Sequence, residues 1–236
     1  MSKVKSILHI ITGLGGGGAE GTLYKLCTED KKNRHIIISL KDGGRYKPLL
    51  LKNRIEVVSM NFKRNKLNIN KFKKIFKLFD YYKPDIIQGW MYHGNFVSSI
   101  LSFFKNHKNL YWNIRNSSLE KKRLNFNATF FILKICALIS HKLPKKIICC
   151  SKNSIKYHSS KGYKRSKFIY IPNGVNTEIF KSDELSKNKI RKDLSITNDT
   201  FLFGMVARYH KQKDHKNLLI ALYLLKKFNK KFKFLL

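Results

Sequence analysis

The stretch FLFGMVARYHKQKDHKN, Phe201 to Asn217, joins a short apolar run to a basic loop and a helix start. Phe201 to Ala207 has the continuous apolar character of a parallel strand buried on both faces, and Arg208 ends it. Asp214 reads as an N-cap. From His215 to Phe228, the residues Leu218, Leu219, Leu222, Leu225 and Phe228 recur at helical spacing, with Lys226 and Lys227 near the far end. A strand therefore feeds a helix through a loop that carries Arg208, Lys211 and Lys213.

Open α/β sheets bind ligands outside the carboxyl ends of their strands, where helix N-termini favour anions. Arg208 and Lys213 are close enough in sequence to reach one diphosphate. The planar fork of Arg and the mobile charge of Lys suit a site where negative charge develops on a leaving phosphate. The bland alternative is two more solvated bases in a chain rich in them.

The segment Gly204-Met205-Val206-Ala207-Arg208, followed by Lys213-Asp214-His215, resembles the start of the donor-binding domain in retaining GT-B glycosyltransferases of family 4. Three other segments resemble that family in the same order. They are the loop GLGGGGAEG from Gly13, the pair GWMYHGN from Gly89 and WNIRNS from Trp112, and IPNGVN from Ile171. Asn116 and Asn176 stand where the family pattern has His and Asp. The resemblance implies transfer of a sugar from a nucleotide-sugar donor, with retention and with neither a metal nor a cofactor. It assigns Arg208 and Lys213, with the loop Gly16, Gly17 and Gly18, to the donor diphosphate and leaving group. It gives His93 a catalytic place in the cleft, and places Glu20, Trp90, Tyr92, His93, Asn95, Arg115 and Ser117 around the sugar and acceptor. The implied partners are the nucleotide-sugar and a glycan or polyprenyl-linked acceptor in surface polysaccharide synthesis.

Composition bounds these readings. The 236 residues, 43% hydrophobic, suffice for a real core. Against 14 acids stand 49 Lys and Arg, a formal charge of +35, which taken alone points to nucleic acid or an anionic membrane surface. The bases are spread along the chain beside abundant Ile, Asn, Phe and Tyr, and no zinc-finger or RNA-recognition motif accompanies them, so no specific nucleic-acid partner is expected. The four cysteines form no C-x-x-C pair, and adjacent Cys149 and Cys150 would point to opposite faces of a strand. Reduced core cysteines fit a cytoplasmic protein. The run Phe130 to Ile139 is too short to span a bilayer, which takes about 20 residues.

Taken in order, Ile7 to Thr12 is the first strand and the glycine-rich loop follows it, leading into a helix from Ala19 to Cys27. Such a turn lets the backbone approach an anion closely. Gly13, Gly15 and Gly18 also fit G-x-G-x-x-G, and Asp42 follows a second strand, His35 to Leu40. A dinucleotide-dependent oxidoreductase is thus an alternative, though six glycines satisfy many patterns. Ile55 to Ser59 reads as a strand and Leu67 to Tyr82 as an amphipathic helix. The lysines of that helix are either solvated or in peripheral contact with an anionic membrane. PDIIQ, Pro84 to Gln88, is a buried strand with Gly89 to Asn95 as a binding loop at its carboxyl end, and His93 opens a helix to Phe104. Trp90 and Tyr92 either stack on a sugar or fill core. Leu110 to Ile114, Lys146 to Cys150 and Phe168 to Ile171 are further strands, Phe126 to Ile139 is a helix, and Ser151 caps a helix to Ser160. Asn173-Gly174 favours positive φ.

Alternating strands and helices imply a parallel, doubly wound sheet. The expected organisation is a Rossmann-like acceptor-side domain over residues 1–180 and the beginning of a nucleotide-sugar-binding domain over 181–236. The family's later glutamate-bearing segment, which grips the donor sugar, has no counterpart here. The expectation is a chain truncated early in its second domain and inactive by itself. The remaining alternative is a basic module that binds nucleic acid or anionic membrane.

Overall fold

The structure is a computed structural model that describes residues 3–63, 68–117, 128–207, 209–228 and 231–235. Leu67, Phe126 and Arg208, each named above, lie outside the described residues. The chain divides into two compact units, Met1–Gly174 and Val175–Leu236.

The first unit is built on a seven-stranded sheet of β1 (Ser6–Ile11), β2 (Arg34–Ser39), β3 (Glu56–Ser59), β4 (Ile86–Trp90), β5 (Leu110–Ile114), β6 (Lys146–Cys149) and β7 (Phe168–Tyr170). Its order is β3-β2-β1-β4-β5-β6-β7 with every pairing parallel, the doubly wound arrangement expected from the alternation. β1 lies between β2 and β4, so the strand order reverses there, the place where open α/β sheets bind ligands at the carboxyl ends of their strands.

Both faces are covered, which is why the strands read as unbroken apolar runs. On one face, helices α1 (Gly18–Glu29) and α2 (Tyr46–Lys52) bring Leu23, Cys27 and Leu50 against Ile11, Ile37 and Trp90. On the other, α3 (Ile69–Tyr82), α4 (Met91–Phe104) and α5 (Ala128–Ile139) bring Ile75, Leu101 and Leu133 against Ile10, Ile38 and Trp112. Side chains close the helix starts. Asn68 accepts from the Lys71 amide, and Ser151, the cap expected of α6 (Lys152–Ser160), accepts from Ser154.

Three expectations change here. β4 continues through Trp90, so Gly89 and Trp90 belong to the strand and the chain turns only at Met91, a non-glycine residue at φ 60°. A short helix, α2, occupies a stretch where none was expected. Neither Asn173 nor Gly174 takes a positive φ; instead the Asn173 side chain accepts a hydrogen bond from Arg115.

In the second unit, α7 (Glu184–Asp193) precedes β8 (Phe201–Gly204), α8 (His215–Lys226) and β9 (Phe232–Leu235), and β8 and β9 pair in parallel. Asp214 caps α8 by accepting from the Asn217 amide. The strand expected over Phe201 to Ala207 stops at Gly204 and is not buried on both faces. A sheet of two strands with one crossover helix cannot cover Phe201, which is 67% exposed.

Candidate active site

Three chain segments meet at the carboxyl ends of β1, β2 and β4. The loop after β1 runs through the glycines to Gly17, the N-cap of α1, whose lack of a side chain leaves the first amides of the helix without a side-chain cap. A Cβ added to Gly15, Gly16 or Gly18 would meet nothing within 4 Å, and none of these glycines has a positive φ. Neither internal packing nor a positive φ requires a glycine at these three positions. Glu20, in the first turn of α1, lays its carboxylate over Gly17, where the helix dipole favours negative charge.

Lys41 follows β2. Its amide donates to Thr12 at 2.9 Å, and its side chain runs beside Gly13, whose added Cβ would lie 3.6 Å from Lys41 Cβ. Lys41 was not singled out from sequence, although its place one residue beyond Leu40, at the carboxyl end of a strand beside the glycine loop, is the signal that marks it.

His93 stands in the first turn of α4 and is half-buried. Burial, and secondarily the Lys41 charge, hold its pKa below the ordinary value, so the ring is neutral at physiological pH and can exchange a hydrogen bond with a hydroxyl. Gly94 explains why this helix start lies so close to the sheet: a Cβ there would overlap the carbonyl oxygen of Ile10. Gly89 allows the same approach from β4, where a Cβ would lie 2.7 Å from Asn95 Cα.

Three residues expected at the sugar lie in the core instead. Trp90 is fully buried against α1 and α2, and its indole N–H donates to Nδ1 of His9 at 3.1 Å. Tyr92 is 3% exposed and points into the α3 to α5 layer. Asn95 is fully buried, its main-chain carbonyl accepting from Ser98 and Ser99. The cause is shared: the strand runs two residues further than expected, and α4 begins with its first turn already packed on the sheet.

At the end of β5, Arg115 donates to Asn173 Oδ1 at 3.0 Å and to the Ile171 carbonyl at 3.4 Å, and lies 5.8 Å from the Trp90 ring centre. It ties β5 to the segment that leaves β7. Ser117 is exposed beyond it. Between them, Asn116 is held from below. Its Nδ2 donates to the Tyr92 hydroxyl at 3.1 Å, and its carbonyl accepts from Ser154 Oγ at 2.8 Å. Lys213 lies in the second unit, exposed in a 3-10 turn, Lys211–Lys213, immediately before the Asp214 cap.

A separate buried chain of side chains crosses the α1 face of the sheet. Trp90 donates to His9 Nδ1, so the proton of His9 sits on Nε2, which faces His35 Nδ1 at 2.9 Å; His35 Nε2 in turn faces Asp30 Oδ2 at 3.3 Å. Burial and the neighbouring His35 push the His9 pKa down to about 3, keeping it neutral. Among the described residues, His9, Cys27 and His35 are the group near enough to hold a metal ion. A metal at His9 Nε2 would displace the His9–His35 proton and turn Nδ1–H against the Trp90 N–H, so this donor set fits hydrogen bonding better than a cation. All four cysteines are free. No helix among the described residues is long and apolar enough to cross a membrane.

A doubly wound sheet with a glycine-rich loop at the reversal of strand order defines a Rossmann-like α/β protein of the GT-B type. The chain belongs to Glycosyltransferase Family 4, whose sequence profile matches residues 16–179. Among solved structures, it is similar to HepE (Alr3699) of Anabaena in complex with UDP, at 17% identity and a TM-score of 0.74, over 98% of this chain and 69% of that one. It is also similar to a glycosyltransferase of Rickettsia africae, at 20% identity and TM-score 0.67, over 99% and 60%. UDP-N-acetylglucosamine 2-epimerase of Rickettsia bellii shares the fold more distantly, at 16% identity and TM-score 0.52, over 98% and 62%. The chain spans between 57% and 69% of the HepE chains it matches. No curated protein sequence matches significantly.

Proposed function

We propose that this chain is the acceptor-side portion, with the first part of the donor-binding portion, of a retaining glycosyltransferase. The enzyme takes a sugar from a nucleotide-diphosphate donor to a glycan or lipid-linked acceptor in surface polysaccharide synthesis, on the cytoplasmic side and in peripheral contact with an anionic membrane. The observation that carries this reading is the set of glycines Gly15, Gly16 and Gly18, which the fold itself does not need, at the start of α1 beside Lys41 and a neutral His93. Family membership supports it, as do the UDP and UDP-glucose complexes of the similar HepE structures. Gly16, Gly17 and Gly18 receive donor phosphate, His93 meets a sugar hydroxyl, and Glu20 and Ser117 border the acceptor. Arg208 and Lys213 hold the diphosphate and stabilise the leaving group.

Equilibrium titration with UDP and UDP-glucose tests the reading, alongside an assay for sugar transfer and the anomeric form of its product. Saturable nucleotide binding that Gly16→Val and Lys213→Ala each weaken is the expected result. Binding of neither nucleotide, with the variants indistinguishable from the parent, would sink it.

A further inference from the structure

We infer that the outer surface of the α3, α4 and α5 layer is a docking face for an anionic lipid bilayer. This deepens the membrane-contact part of the proposed function and rests on it. Most of α4 is buried, yet its last two residues, Phe103 and Phe104, are 65% and 70% exposed, with ring centres 5.4 Å apart. Phe104 reaches α3, its ring 6.1 Å from Phe76. α5 packs beside α4 and turns Phe131 and Leu138, two helical turns apart, outward at 67% and 76% exposure. Adjacent exposed aromatics at a helix end, with Phe131 and Leu138 exposed on either side of exposed Lys134 on the next helix, form a mixed apolar and basic surface of the kind that marks an interaction site.

Charge selects the occupant. On α3, Lys73 and Lys77 are both exposed one turn apart, a like-charge pair that an anionic partner relieves. With a net charge of +35, a second copy of this chain would be repelled. A bilayer surface bearing anionic headgroups matches both components: the rings enter the boundary between headgroups and acyl chains, and the lysine stems lie along it with their ammonium groups among the phosphates. Among the described residues no helix can span the membrane, so the contact is a face lying on the surface.

The test is co-sedimentation of the full chain with vesicles of phosphatidylcholine alone or with phosphatidylglycerol added, with single-stranded DNA as the competing polyanion. The variants are Phe103→Ser/Phe104→Ser and Lys73→Glu/Lys77→Glu, with Lys187→Glu/Lys189→Glu on α7 as a control of equal charge change; circular dichroism verifies folding. The expected result is binding to phosphatidylglycerol vesicles, weakened on the order of tenfold or more in both patch variants and retained in the control. If the parent binds and the Phe variant binds equally, this face is not the docking surface and membrane contact lies elsewhere. If the parent binds no vesicles, the membrane contact fails as well, while nucleotide binding stands untouched. Preference for DNA over vesicles, with the Phe variant unaffected, would overturn the inference in favour of a general polyanion module.

Discussion

The Tyr92 hydroxyl lies 2.8 Å from Nε2 of His158, and Nδ1 of the same ring lies 2.7 Å from the Ser154 carbonyl. His158 thus carries its proton on Nδ1 and accepts from Tyr92, whose oxygen accepts from Asn116. One ring on α6 and one hydroxyl on α4 hold the loop that follows β5.

Removing that hydroxyl strands a buried ring nitrogen. Tyr92→Phe leaves His158 Nε2 without its donor in a fully buried setting, and should cost about 1–3 kcal/mol in urea unfolding. Amide exchange at residues 115–117 should quicken in the same variant beyond what the global loss accounts for. An unchanged midpoint with unchanged exchange would show that the network holds nothing.

Acid should unfold the first unit earlier than its few ion pairs suggest. Burial pushes the pKa of His158 down to about 4, and that of His9 to about 3. The unfolded chain takes up each proton first, near pH 6.5, so stability is full above that pH and falls as pH drops toward the folded values. Each ring contributes a loss of about 2 kcal/mol between pH 7 and pH 5. Thermal melts across this range check it, and a flat profile down to pH 5 would contradict both assignments.

Glycines of two kinds should respond oppositely to alanine. Gly94→Ala forces α4 away from the Ile10 carbonyl and should destabilise by about 1–3 kcal/mol. Gly16→Ala meets only open space and should leave stability within about 0.5 kcal/mol of the parent, as surface changes do. Equal losses at the two positions would show that the loop glycines serve the fold.

Lys41→Met should raise the pKa of His93, because the ammonium charge adds to burial in holding it down. A two-dimensional NMR titration of the imidazole reads this directly. A shift in the other direction, or none, would separate Lys41 from the site.

The sheet was legible because both its faces are covered and its strands therefore read as apolar runs between turn residues. Ser151 and Asp214 were legible as caps, since a short polar side chain before an apolar helix has few other uses. The same double coverage hid the directions of Trp90 and Tyr92. When both faces of a strand are buried, alternation carries no inside or outside, and an aromatic at the strand's end looks the same whether it meets a ligand or the core. α2 was missed because its seven residues, YKPLLLK, hold a proline in the first turn and three leucines in a row, without a helical period to distinguish them. The glycine loop was legible as the turn between β1 and α1, but Lys41 emerged only once β2 was seen beside β1. Burial at Phe201 could not be read from local pattern, since it depends on how many strands flank it.

The hydrogen bonds from Trp90 to His9 and from His9 to His35 point the same way, toward the Asp30 carboxylate 3.3 Å from His35 Nε2. Trp90 ends β4 at the rim that holds the candidate site, while Asp30 caps α1 at the opposite rim, where it meets solvent. The indole N–H can only donate and the Asp30 carboxylate can only accept, so the two imidazoles between them are held in one tautomer, and the rim that holds the candidate site is tied to the far rim through the sense of two rings.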